Sequence, residues 1–178
     1  VDILPQRGSI VSLVRIADVL EYMLIRKALE AEAVRVVAGN PTEALFETLN
    51  RNIGYQRTAA ATGDRHGFHE RDIEFHDILL GHMNFSKVRS VIDSTRANLD
   101  RARRLILTPR RLEMSLGEHE AVLAAVLEGD GTRAAAAMRT HIDRVMAELI
   151  DFARVNTHLF ADGEFLARDP DYASFPFG

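Results

Sequence analysis

The sequence predicts an all-α protein, an antiparallel bundle of about six to seven helices. Three observations predict it. From Ile16 onward apolar residues recur with a helical period. Pro41, Pro109, Gly39, Gly63 and Gly129 fall between the periodic segments. The joining turns are short, which makes successive helices antiparallel neighbours. A chain of 178 residues with 47% hydrophobic content can build one well-formed core and is too short for two large domains.

Val19, Met23, Arg26, Leu29 and Ala33 trace one face of a first long helix that ends at Gly39. Asn40-Pro41-Thr42-Glu43 then reads as an N-cap at Asn40, a first-turn proline and a glutamate three residues after the cap. This second helix runs to about Thr62. A third spans roughly His66 to Met83, and a fourth roughly Phe85 to Ile106. The fourth carries Arg89, Arg96, Arg101, Arg103 and Arg104, which read mostly as a solvated face. Ser115-Leu116-Gly117-Glu118 reads as a capping box that opens a fifth helix ending at Glu128. Asp130 caps a sixth, continuing to about Asn156.

The two ends differ from this pattern. Val1 and Ile3, the turn Pro5-Gln6-Arg7-Gly8, and Ile10 and Val11 read as a short hairpin, which alone is marginal in water and calls for a neighbour. Residues 159–178, with Asp162-Gly163, Asp169-Pro170 and Phe175-Pro176-Phe177-Gly178, read as an irregular tail whose phenylalanines can still dock on the bundle. The first residue is valine, as expected of a fragment or a processed product.

Composition excludes several classes. Without cysteine there is neither a disulfide nor a thiolate site, which fits a cytoplasmic protein. Net charge is −4 with the signs mixed, so no bulk basic surface awaits nucleic acid. No apolar run approaches the ~20 residues of a membrane span. No Gly-x-Ser-x-Gly elbow, phosphate-binding glycine loop or His-Glu-x-x-His pair is present.

Four polar residues stand on inward faces, where an unpaired charge or imidazole is costly. Asp72 and His76 are one turn apart on the third helix. His119 and His141 each lie eleven residues from Asp130, so a helical hairpin brings them to one height. Any one of these histidines alone is readily a hydrogen-bonded core residue. Together, three imidazoles and a carboxylate without sulfur suit Zn²⁺, Ni²⁺, Mn²⁺ or Co²⁺. His69, seven residues before His76 on the same face, is the rival ligand. His82 points away, His158 reads as a surface residue and His66 lies near a helix start.

Arg26 interrupts an apolar face, either to pair with Glu30 one turn on or to receive a carboxylate ligand in a bidentate fork. Asn84, between the third and fourth helices, reads as a cap that could also bind a ligand. Glu118 and Glu74 neighbour the ligands in sequence, but neither stands out as a spare general base.

Taken in order, Tyr22 through Glu30, Asp72-x-x-Phe75-His76, Asn84, Glu118-His119, and Gly129-Asp130 through Met138-Arg139-x-His141 resemble the FCD domain. That is the effector-binding half of FadR-like regulators in the bacterial GntR superfamily. The resemblance covers roughly residues 16 to 155, and the opening Pro5 to Ser12 also resembles the wing of the family's winged helix-turn-helix. It implies residues 1–14 as a wing and linker remnant, 15–158 as a metal-dependent effector-binding and dimerisation domain, and 159–178 as a tail. It further implies metal ligands at Asp72, His76, His119 and His141, with zinc the leading metal, and a small organic acid held by that metal. Arg26 would be a second anchor for the acid, and Asn84 would lie near the pocket. The partners implied are a second copy of the chain and operator DNA, the latter through a DNA-binding half absent from these residues, with Arg7 alone placed near DNA. A small metal-dependent hydrolase using the same Asp and His residues is the alternative.

Overall fold

The computed structural model describes residues 2–4, 8–10, 13–82, 84 and 86–169. It is an all-α bundle of six long helices: α1 (Ile16–Gly39), α2 (Glu43–Thr62), α3 (Arg65–His82), α4 (Ser86–Leu105), α5 (Pro109–Leu127) and α6 (Gly131–Val155). A short α7 (Gly163–Arg168) follows a single 3-10 turn. No described helix is long and apolar enough to cross a membrane.

Helix starts follow their caps. Thr42 Oγ1 accepts from the Leu45 amide at 3.3 Å, so α2 begins two residues later than an Asn40 cap would place it. Asn40 instead closes α1, its amide donating to the Val37 carbonyl. Likewise α5 begins at Pro109 behind Thr108, whose Oγ1 accepts from the Arg111 amide at 3.1 Å. The capping box expected at Ser115 is therefore mid-helix, and Ser115 Oγ instead accepts from Arg111 Nε at 2.9 Å. Asp130 caps α6 through the Arg133 amide as the sequence predicts.

Helix α1 lies along α6, α5 pairs with α6, and α2 packs on both α3 and α5. The main core runs between them through Leu20, Met23, Leu49, Phe75, Leu79, Met138 and Leu149. The α5–α6 turn sets the height of that hairpin. Gly129 has φ 72°, a left-handed conformation costly for other residues. A Cβ at Gly131 would stand 2.7 Å from the Arg35 carbonyl oxygen, so the turn presses directly on α1.

The C-terminal segment departs from the irregular tail expected. Asp162, buried, accepts from the Ile16 amide at 2.8 Å and the Ala17 amide at 3.1 Å, capping α1 from the far end of the chain. Ala161 N donates to the Val14 carbonyl, Phe160 is buried in the core, and the pinned chain then turns into α7. Phe175 and Phe177 lie outside the described residues. Ahead of the bundle, Asp2–Leu4 and Gly8–Ile10 pair antiparallel over three residue pairs, a ladder too short to count as a layer of the fold. Arg7 at its expected tip is outside the described residues.

Candidate metal centre

Helix α3 presents Asp72 and His76 inward one turn apart, and the α5–α6 hairpin presents His119 and His141 at one level. All four are buried. One ligand atom from each lies within 4.8 Å of the others. His119 Nε2 is 3.4 Å from His141 Nε2 and 3.6 Å from Asp72 Oδ1.

The outer nitrogens are each engaged from behind. His119 Nδ1 is 2.8 Å from Gln56 Oε1. That oxygen is an acceptor because Gln56 Nε2 donates to Asn52 Oδ1 at 2.7 Å and faces the Arg71 carbonyl. His119 therefore carries its proton on Nδ1 and turns the Nε2 lone pair inward. His141 Nδ1 donates to Glu118 Oε2 at 2.8 Å, with the same consequence. The Glu30 carboxylate stands 2.6 Å from His76 Nδ1, an ion-pair distance without hydrogen-bond alignment. His76 Nε2 is buried and has no hydrogen-bond partner.

Two inward lone pairs 3.4 Å apart repel each other in a dry interior unless a shared cation lies between them. Three such nitrogens, one of them an orphan, and a carboxylate oxygen are a borderline N/O donor set. Backing each imidazole with a carboxylate or amide is the arrangement that orients metal-binding histidines. The residues present fit a divalent transition metal.

Electrostatics keep the donors ready. Burial drives the His119 imidazole well below its ordinary 6.5, reinforced by His141, and burial together with His76 does the same to His141. Both are thus neutral at pH 7. Burial would raise the Asp72 carboxyl, but the Arg103 guanidinium outweighs it and holds the group well below 3.8. Arg103 Nη2 donates to Asp72 Oδ2 at 2.5 Å.

Arg103 was not legible as a site residue among the arginines of α4. Arg89, Arg101 and Arg104 are exposed as a solvated face predicts, whereas Arg103 is buried. The signal was its register: Leu99 lies one turn before it and Ile106 three residues after, both buried. Gln56, Glu30 and Glu118 were likewise not assigned as supports of the histidines. Glu118 also accepts from the buried Arg111 and from Arg144, which ties the centre to α6.

Arg26 takes the ion-pair alternative. Its Nε and Nη2 reach Glu30 Oε1 and Oε2 at 2.6 and 3.2 Å, and Glu30 in turn backs His76. Asn84 is exposed at the α3–α4 junction with φ 53°, a left-handed turn that asparagine tolerates. His69 is buried but does not join the ligand set, and His158 and His66 are exposed. Beside His76, a cavity of about 20 Å³ is lined by Arg26, Glu30, Asp100 and Arg103 with Ile92 and Leu99.

Comparison with known proteins agrees with this architecture. The family model described as FCD domain matches residues 21–144. The HTH-type transcriptional repressor RspR of Escherichia coli K12 is 28% identical over 165 residues, covering 91% of this chain and 72% of that protein. An uncharacterized HTH-type transcriptional regulator in an unstable DNA locus of Streptomyces ambofaciens is 29% identical over 162 residues, covering 90% and 68%.

Proposed function

Because the chain belongs to the FCD domain family, whose matched relatives are HTH-type transcriptional regulators, we propose that it senses a small carboxylate through a bound divalent metal and transmits this to operator binding. On this reading residues 15–158 are the sensing and dimerisation domain of a cytoplasmic GntR-type regulator. Residues 1–14 lead from a DNA-binding half. The observation that carries the proposal is that one donor atom from each of Asp72, His76, His119 and His141 lies within 4.8 Å of the others, with an acceptor close to each Nδ1.

Asp72 Oδ1 and the Nε2 atoms of His76, His119 and His141 would hold the ion, with zinc the leading choice and nickel, manganese or cobalt compatible. A metal bound there supplies a Lewis-acidic anchor for an effector carboxylate. The cavity beside His76 is the natural entry, and its wall carries the guanidiniums of Arg103 and Arg26 together with the carboxylates of Glu30, Asp77 and Asp100. At about 20 Å³ it has room for a single water, so an acid needs α4 to move away from α1 and α3. That movement is a means of biasing one arrangement of paired DNA-binding domains over another. Arg26 acts first through Glu30, and contacts the acid directly only where that fork opens. Asn84 would approach the effector through the same displacement of the α3–α4 junction.

Elemental analysis after metal supplementation should find about one transition-metal ion per chain, as a single four-ligand site requires. Asp72→Ala and His141→Ala should each lose both the metal and any carboxylate-dependent rise in melting temperature while far-UV circular dichroism keeps the helical signal. Supplemented protein free of transition metal would sink the proposal. The hydrolase alternative needs a general base, and Glu118, Glu30 and Glu74 are all engaged by arginine, histidine or asparagine. Chelator-sensitive turnover of an ester, amide or phosphate would revive it.

A further inference from the structure

His69 is 1% exposed, yet neither ring nitrogen has a hydrogen-bond partner. It forms the floor of an open cleft of about 200 Å³ lined also by Arg65, His66, Arg104 and Leu107. Arg65 and His66 stand on the first turn of α3 and Arg104 on the last turn of α4. Both arginines are exposed, and neither makes an ion pair or hydrogen bond among the described residues. The nearby carboxylates are occupied or out of reach. Asp64 caps the Gly67 amide, Glu70 faces His66 Nε2 at 3.5 Å, and Asp100 Oδ1 is 3.9 Å from His69 Nε2. Asp72 is taken by Arg103.

We propose that this cleft is a second binding site, distinct from the metal centre, which takes a phosphoryl oxyanion on Arg65, Arg104 and His69. Two guanidiniums converging without an acidic partner repel each other, and a buried imidazole with nothing to bond is costly. A single anion relieves both. The three non-bridging oxygens of a phosphoryl group match the three donor groups better than the two oxygens of a carboxylate, and its second charge is balanced by the second arginine. Because Asp64 already caps the helix end, side chains rather than the backbone form the site. Metal coordination by His69 is disfavoured by the same two cations.

The test is titration of inorganic phosphate, and separately of glycerol phosphate, at constant ionic strength. Binding is followed by calorimetry and by the His69 imidazole resonances. The chelator-treated wild-type chain should bind saturably, and the double variant R65A/R104A should bind about tenfold more weakly or worse, the loss of charge-assisted hydrogen bonds. Both substitutions are at exposed positions, so circular dichroism and melting temperature should be unchanged. Tighter binding of glycerol phosphate would identify the source as an organic phosphate, and equal binding as the free ion. Undiminished binding to R65A/R104A, loss of binding on chelation, or no saturable binding of either probe would overturn the proposal.

Discussion

His76 and His69 lie seven residues apart on the same face of α3, both are buried, and their surroundings are opposite. His76 is backed by the Glu30 carboxylate, and its ring lies beside two imidazoles in one cluster with Asp72. His69 lies toward the last turn of α4, where Arg103 and Arg104 act on it and Arg65 shares its cleft. An acceptor behind an imidazole turns its other lone pair toward a cation, whereas guanidiniums beside it disfavour a metal and favour an anion that accepts its N–H. Helical position delivers both rings to the interior, and the neighbouring charges assign their chemistry. Arg103 sits between the two environments, because it neutralises Asp72 on one side and depresses His69 on the other.

The comparison breaks most readily at Arg103. In metal-free protein Arg103→Met leaves the Asp72 carboxylate buried without its cation, and a loss of about 3–5 kcal/mol in urea unfolding is expected. Saturating metal should recover part of that loss, because a bound cation also pairs with Asp72. A loss below about 1 kcal/mol in the metal-free chain would show that Asp72 does not depend on Arg103.

Acid should act next. His119, His141 and His69 are all held below 6.5 in the folded state, so the unfolded chain binds more protons as pH falls. Folded-state stability is therefore complete above about pH 6.5 and declines below it, by up to about 1.4 kcal/mol per imidazole per pH unit until the folded values are reached. Asp72 titrates on the same sign, with its contribution present above about 3.8 and lost on further acidification. Melting temperatures of the chelated chain between pH 7.5 and 5 would check this, and a flat profile would contradict neutral buried rings.

The smallest effect sharpens the role of the backing groups. Glu118→Gln keeps an acceptor for His141 Nδ1 but removes its charge, and should weaken metal binding by about 10–100-fold in competition with a chelator. His69→Asn should leave metal affinity unchanged. A comparable loss from both variants would erase the distinction between the two histidines.

Much of the bundle was legible because helix limits are local chemistry. Gly39 and Thr62 end their helices where apolar periodicity and turn residues predict, and Asp130 caps α6 through an amide three residues on. The two misplaced starts, Asn40 and Ser115, came from plausible cap patterns competing with Thr42 and Thr108 beside prolines. The candidate metal cluster was legible because three imidazoles and a carboxylate on apolar faces need a reason. Equal spacing from one turn also fixes relative height whatever the rest of the fold does. Arg103 was hidden because four other arginines share its helix, whereas Asn84 was named but its exposure was not legible, because a sequence position says nothing of which way a left-handed turn faces.

By itself, then, the amino-acid order determined the six long helices and most of their limits, which side chains face inward, and which four could share a metal. Packing alone decided that Arg26 spends its fork on Glu30, that Gln56 of α2 backs His119, and that Asp162 caps α1 from 146 residues away. It also separated His76 from His69. The physical reason is one of range. Helical register is set by hydrogen bonds and sterics within four residues, whereas a side chain's partner depends on the rotation of a neighbouring helix, which only the assembled core fixes.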